Sequence, residues 1–292
     1  MSQTQPSGKP LASSRESELS RADFDFVREL IERRSAIVLD DGKDYLATTR
    51  LKQLASKENF ESLAALIQKL RSGASPALTT KVVEAMTTNE TSFFRDLKPF
   101  DALREDVLPY LRKERATQRR LRFWCGAAST GQESYSVLML MQEHFPDMLQ
   151  WQLDFLATDI STEVLGKAKD ALYTQFEVNR GLPAPMLVKY FQGEAGSWRF
   201  KEPLRSKVKF QQLNLVGPWP HRQPLDIVFL RNVLIYFDAD VKKQILAKIR
   251  QALAPDGFLF LGGAESTVNL DSGFVPQRTG GTTIYRRADH DK

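Results

Sequence analysis

Three polar residues, Glu133, Asp159 and Asn214, fall where a chain of alternating strands and helices would bring strand ends together. Each suits one part of a nucleoside-like ligand that carries positive charge. A short run, Leu121-Arg122-Phe123-Trp124-Cys125, reads as a strand and leads into a turn from Gly126 to Gly131, followed by Gln132 and Glu133. In doubly wound sheets a cofactor binds beyond the carboxyl ends of the strands, where the chain turns tightly into a helix. Gly126 and Gly131 are expected to let the backbone approach it closely. The spacing is neither G-x-G-x-x-G nor G-x-x-x-x-G-K-[ST], which disfavours a dinucleotide pyrophosphate and a phosphate-cradling loop. A carboxylate at position 133 would repel phosphates but suits an ammonium or a sulfonium. Asp159 closes the second strand, where nucleotide-binding α/β folds place an acid on ribose hydroxyls; it could equally serve as the acid at the start of the next helix. Asn214 lies near the end of a later strand, where its amide could read an adenine edge or simply close a turn.

The elements that would hold these groups follow from periodicity. From Arg21 to about Thr88 the pattern is helical: Phe24, Val27 and Ile31 share one face, Leu63, Leu66, Ile67 and Leu70 another, and Gly73 follows as a C-cap. Ser75-Pro76 reads as an N-cap and first turn for a helix carrying Leu78, Val82, Val83 and Met86. After about Leu121 strands and helices alternate. A helix is expected over about 132–144, a strand over 153–158, and a helix capped by Ser161 through Asp170. The nearly all-apolar run Asp226 to Leu230 reads as a strand buried on both faces, followed by a helix over about 240–254 and a strand over 257–262. Such alternation predicts a parallel, doubly wound sheet. Between Gly193 and Gln212, the residues Trp198, Phe200, Val208 and Phe210 suggest an inserted hairpin.

Composition narrows the field without deciding it. With 292 residues, one large domain and a smaller one are expected. The single cysteine, Cys125, excludes a disulfide framework and a multi-thiolate metal site, and no metal is expected. No apolar run approaches the roughly 20 residues of a membrane span. Residues 1–20, rich in Ser, Gln and Pro, read as a disordered tail rather than a secretory signal, so the cytoplasm is the expected location. A net charge of +5 suggests an acidic partner. The excess concentrates between Arg95 and Arg122, where nine cations face five acids.

The segment Met86-Thr-Thr-Asn-Glu-Thr-Ser-Phe-Phe-Arg-Asp96 resembles the N-terminal signature of the CheR-type chemoreceptor glutamate methyltransferases. Further blocks follow in that family's order: Ala127 to Ser136, Leu156 to Ser161, Arg231 to Asp238, and the turn Gly262-Gly-Ala-Glu-Ser266. Ser134 stands where the family commonly has proline, and Gln132 where glutamate is common. The resemblance spans about residues 21–287. It implies a small all-α N-terminal domain (21–90) and a Rossmann-like class I S-adenosylmethionine methyltransferase domain (91–292), with a small β-subdomain inserted at 193–213. It further implies that Asn89, Thr91, Arg95, Glu133, Asp159, Asn214, Leu215, Asn232 and Val233 contact S-adenosylmethionine.

The implied reaction esterifies glutamate side chains in the cytoplasmic domains of chemoreceptors. Arg95, with its fork of donors, and the Tyr236 hydroxyl are the candidates for holding the attacking carboxylate. A nucleic-acid methyltransferase would suit the basic pI, but Arg231 to Tyr236 lacks the D/N-P-P-Y/F stretch of amine methylation, and Cys125 does not follow a proline. A catalytically silent receptor-binding module would be expected to lose Arg95, Glu133 or Asp159, and all three are present. Arg50 and Lys57, seven residues apart, would offer acidic receptor helices a local basic patch. Some family members also bind a receptor's C-terminal pentapeptide beside the inserted hairpin. The short turn Gly193 to Ser197, with Glu194 in it, predicts that this chain does not.

Overall fold

The computed structural model describes residues 19–220 and 223–289; the expected N-terminal tail falls, but for its last two residues, outside them. The chain forms two compact units, one of residues up to 31 together with 39–86, the other of 32–38 together with 87 onward.

The first unit is helical: α1 (Arg21–Ser35) up to Ile31, α2 (Asp44–Lys57), α3 (Leu63–Arg71) and α4 (Pro76–Met86). The faces expected from periodicity are the buried ones, with Val27, Ile31, Leu66 and Val82 fully enclosed. The Ser75 hydroxyl accepts from the Leu78 N–H at 3.2 Å, capping α4. One surface expectation changes here. Arg50 is half-buried, and its Nη1 donates to the Met86 carbonyl at 2.8 Å. That arginine ties α2 to the end of α4 and is not half of an open basic patch.

In the second unit a helical run, α5 (Lys98–Ala102), a π turn (Leu103–Val107) and α6 (Leu108–Glu114), buries Phe100, Leu103, Val107, Leu108 and Leu111. The widened turn precedes Pro109, which has no N–H to give an α-helical ladder. The run belongs to the main core, so this part of the basic segment is a packed helix. Then follow β1 (Arg120–Gly126), α7 (Gln132–His144), β2 (Gln152–Asp159) and α8 (Thr162–Asp170). Next come β3 (Leu172–Thr174), α9 (Gln175–Asn179), α10 (Ala184–Tyr190), β4 (Phe191–Glu194), β5 (Ser197–Phe200) and β6 (Val208–Gln212). The chain ends with β7 (Leu225–Leu230), α11 (Ala239–Ala252), β8 (Leu253–Leu261), β9 (Phe274–Thr279) and β10 (Thr282–Arg287).

The main sheet has the order β6-β2-β1-β7-β8-β10-β9, parallel except for β10 and β9. All six residues of β7 are buried, as a central strand covered on both faces requires. The hairpin expected at 193–213 is divided differently. Strands β4 and β5 pair through a two-residue turn, and β3 joins β5 on the other side, giving a three-stranded antiparallel sheet. β6 belongs to the main sheet, parallel to β2 with Phe210 opposite Ala157. Its alternation of buried Val208 and half-buried Phe210 with exposed Lys209 and Gln211 is that of an edge strand, which in sequence looks the same as a hairpin arm.

An ion cluster braces the sheet. Arg115, just past α6, donates from Nε to Asp226 on β7 at 2.8 Å and forks onto Asp256 at 2.6 and 2.8 Å. The Arg122 N–H takes the other Asp226 oxygen at 2.7 Å. The fork from Arg115 holds the Asp256 carboxyl below its ordinary range, while burial outweighs the same arginine at the more enclosed Asp226 and pushes it up. The stability carried by Asp256 is thus present above the usual carboxyl range and lost as pH falls through its lowered value. Replacing Arg115 by methionine strands two carboxylates and should cost about 3–5 kcal/mol in urea unfolding near pH 7. The loss should shrink near pH 3.5, where protonated carboxyls no longer need a cation; an equal loss at both pH values would show that packing, not charge, is what Arg115 supplies.

Candidate active site

The four central strands end in step. Gly126 lies opposite both Thr158 and Leu230, and Leu230 opposite Leu261. The residues that follow, Ala127, Asp159, Arg231 and Gly262, therefore line one edge of the sheet.

Asp159 is buried, 6% exposed, and each oxygen accepts a backbone N–H: Oδ2 from Ser129 at 2.8 Å and Oδ1 from Ser161 at 3.0 Å. It fixes the turn after β1 and opens α8 at once, the part of an acid at a helix start. The Ser129 hydroxyl in turn donates to the Asn89 carbonyl at 2.8 Å, fastening the Asn89 segment to the same turn. The two glycines of that turn serve packing. A Cβ on Gly126 would come within 2.6 Å of the Leu230 side chain, and one on Gly131 within 3.1 Å of Ala168.

Glu133, at the start of α7, is not an unpaired acid. Arg231 Nη1 forms an ion pair with its Oε2, and the Cys125 thiol donates to Oε1 at 3.2 Å. Burial, then the Glu133 charge, push that thiol well above its ordinary range, so Cys125 stays protonated and serves as a donor. Arg231 is the residue the sequence reading passed over. Its side chain is 1% exposed, its Nη2 reaches Asp96 at 2.7 Å and the Arg95 carbonyl at 3.0 Å, and its Nε has no partner. The available signal was an arginine directly after the apolar run Ile227 to Leu230.

Asn232 and Val233 are held by a second missed residue. Glu265 accepts the N–H groups of Asn232 (2.8 Å), Val233 (2.8 Å), Leu234 (2.6 Å) and Gly262 (2.6 Å). Gly262 is obligatory there, since a Cβ would lie 2.7 Å from Asn232 Nδ2 and 2.8 Å from Glu265 Oε2.

Asn214 follows β6, but its amide is engaged: Nδ2 donates to the Arg34 carbonyl at 2.7 Å and Oδ1 accepts from Val216 at 3.2 Å. One N–H and one lone pair remain for a ligand. Leu215 is buried, and the Lys248 ammonium spans the carbonyls of residues 215, 216 and 217 at 2.9–3.4 Å. Arg95 is half-buried and donates from Nη1 to the Glu90 carbonyl at 2.9 Å. Thr91 and Tyr236 are half-buried; the Tyr236 carbonyl accepts the Val38 N–H at 3.0 Å. Among the described residues no hydrogen bond joins Arg95 to Tyr236.

Residues 89–279 match the family described as CheR methyltransferase, SAM binding domain, and residues 22–87 match the CheR methyltransferase all-alpha domain. The chain belongs to the CheR methyltransferase family. It is 40% identical to chemotaxis protein methyltransferase 1 of Pseudomonas aeruginosa over 91% of this chain and 98% of that one. It is 37% identical to chemotaxis protein methyltransferase Cher2 of Pseudomonas putida, covering 90% and 97% of the two chains. Against the chemotaxis protein methyltransferase of Vibrio anguillarum it is 38% identical, covering 90% and 95%. The fold is a helical domain followed by an S-adenosylmethionine methyltransferase domain.

The sheet edge fits that cofactor. Its donor set is acidic, as a cationic nucleoside needs, and the orphaned Arg231 Nε leaves one buried donor for a carboxylate. Removing Glu265 as Glu265→Ala would orphan up to four N–H groups. It should weaken S-adenosylhomocysteine binding by about 2 kcal/mol or more in calorimetry and lower the melting temperature. Unchanged affinity would mean that the 231–234 turn does not shape the cofactor site.

Proposed function

We propose that this chain transfers the methyl group of S-adenosylmethionine to glutamate side-chain carboxylates of chemoreceptors in the cytoplasm, acting as a protein-glutamate O-methyltransferase. The observation that carries this is the paired match of both family domains along one chain, with the acids and anchored turns of the methyltransferase domain gathered at one sheet edge.

Bound at that edge, S-adenosylmethionine supplies a methyl carbon activated by a sulfonium. We assign the cofactor contacts to Asn89, Thr91, Arg95, Glu133, Asp159, Asn214, Leu215, Asn232 and Val233. Asp159, with its orientation fixed by two backbone donors, has lone pairs left for ribose hydroxyls. Glu133 faces an ammonium while Arg231 balances the charge of the acid. The substrate glutamate, with an ordinary pKa of about 4.3, is already ionised near neutrality and needs no general base. What remains for the protein is to orient the oxygen and remove its water. Arg95 has donors beyond the one on the Glu90 carbonyl, and the Tyr236 hydroxyl has no partner among the described residues, so both can turn to the incoming carboxylate.

Two variants separate these roles. Asp159→Ala should lower S-adenosylhomocysteine affinity by about 1–3 kcal/mol in calorimetry, the scale for stranding buried donors. Tyr236→Phe should leave that affinity unchanged and reduce kcat on a receptor fragment, the pattern of a contact made mainly in the transition state. Normal turnover in the phenylalanine variant would remove Tyr236 from the mechanism.

The reading also covers recruitment. β4 and β5 are joined by Ala195-Gly196 alone, with both residues at positive φ, a turn with no residue to spare for a longer binding rim. Glu194 is ion-paired with Arg199, so turn length rather than repulsion carries the argument. The enzyme should show no heat on titration with a receptor C-terminal pentapeptide; micromolar binding would overturn the tether-free reading.

A further inference from the structure

Among the described residues, one half of one sheet face lacks a covering helix. Consecutive parallel strands in a doubly wound sheet are usually joined by a crossover helix that packs on the sheet. The connection from β6 to β7, residues 213–224, has no helix among its described residues. α11 covers the same face over β7 and β8 with Ile245, Leu246 and Ile249. On β1, Trp219 of the connecting loop leans on Trp124, with ring centroids 4.6 Å apart, and stands in for the absent helix near the strand ends.

Nearer the strand beginnings, among the described residues, only Pro220, Gln223 and Leu225 border that face. Register puts Arg122 opposite Asp154 and Leu156 opposite Lys209, so these residues, with Arg120, share the uncovered face. They line a recess of about 220 Å³ together with Lys207. Four cations face the single acid Asp154. Arg120 pairs with it at 2.7 Å, while Arg122 is 4.0 Å away and its Nε, though buried, has no acceptor. Lys207 is held by the Leu149 carbonyl at 3.0 Å, and Lys209 is exposed.

We propose that this recess docks an acidic amphipathic helix of a partner protein, which supplies the missing layer. Its carboxylates meet Arg120, Arg122, Lys207 and Lys209, and its apolar side meets Leu156. A helix is what this architecture places on a sheet face, and the cationic rim selects one that is acidic. A flat lipid surface would not enter a recess. The face lies at the strand beginnings, whereas Glu133 and Asp159 lie at the strand ends, so the docked segment is not the one being methylated.

The test uses the full-length enzyme and a fluorescein-labelled synthetic helix of Leu, Ala and Glu with one apolar stripe, followed by anisotropy at low and moderate salt. Saturable binding is expected, weakened about tenfold or more by Lys209→Glu and strongly by salt. Arg122→Gln should weaken it as well. Lys209 is exposed with no ion-pair partner among the described residues, so its reversal should leave the fold and basal methyl transfer intact. Equal binding by wild type and Lys209→Glu would overturn the proposal. So would equal binding of a peptide of the same composition with its stripe scrambled, which would reduce the face to a polyanion trap. Lysine-dependent pelleting with phosphatidylglycerol vesicles in the absence of peptide binding would also overturn it and assign the face to lipid.

Discussion

A guanidinium buried between two carboxylates that lie far apart in sequence holds the catalytic end together. Arg231 follows the central strand directly, Glu133 opens the helix after the first strand, and Asp96 ends the Thr-Ser-Phe-Phe-Arg segment. Burying a cation costs several kcal/mol unless its partners are well placed. The cost is offset only when all three segments are in position. The arginine thus acts as a check on assembly: a misplaced signature loop or a frayed α7 leaves a charge stranded at the sheet edge.

Around this centre the backbone is under tension. Phe94, Asp96, Leu97, Ala127, Ser129 and Asn232 all have positive φ, which side chains disfavour. Residues held this way cost of order 1–3 kcal/mol each and persist where their surroundings fix them. The fixings are visible. The N–H of Phe94 donates to the Ser136 hydroxyl at 2.9 Å, that of Ser129 to Asp159, and that of Asn232 to Glu265. Asp159 and Glu265 therefore act first as anchors for strained turns, and a turn held rigid before the ligand arrives loses less freedom on binding.

Much of this was legible in the amino-acid sequence, and the limits have physical causes. α7 and α8 could be placed closely, because Gly131 and the Ser161 cap mark their starts and the apolar faces are regular. Asp159 was found by its place at a strand end. β6 was misplaced because an edge strand and a hairpin arm share the same alternation, and only pairing partners separate them. The β9–β10 hairpin was passed over although Gly280-Gly281, both at positive φ, carries a strong turn signal. The helical run of 98–114 hid behind its charges, since Arg104 pairs with Asp101 inside the run while Arg112 and Arg115 find their acids elsewhere. Arg231 and Glu265 were quoted within motifs but given no role, because the partners they hold outside those motifs lie some 30 to 135 positions away.

The second unit takes in residues 32–38 as well as everything from Thr87 onward. The Arg34 carbonyl receives the Asn214 amide, and the Val38 N–H donates to the Tyr236 carbonyl. A stretch encoded among the first helices thus forms a wall of the methyltransferase unit. The boundary between the two units is consequently not a single point in the sequence. A gene fragment beginning at residue 87 would lack the acceptor for Asn214 and the donor beside Tyr236, and grafting another family member's helical domain in front of it would import that member's version of the wall. Shuffling of the N-terminal domain, by breeding or by engineering, is therefore constrained by seven residues of the methyltransferase unit that travel with it.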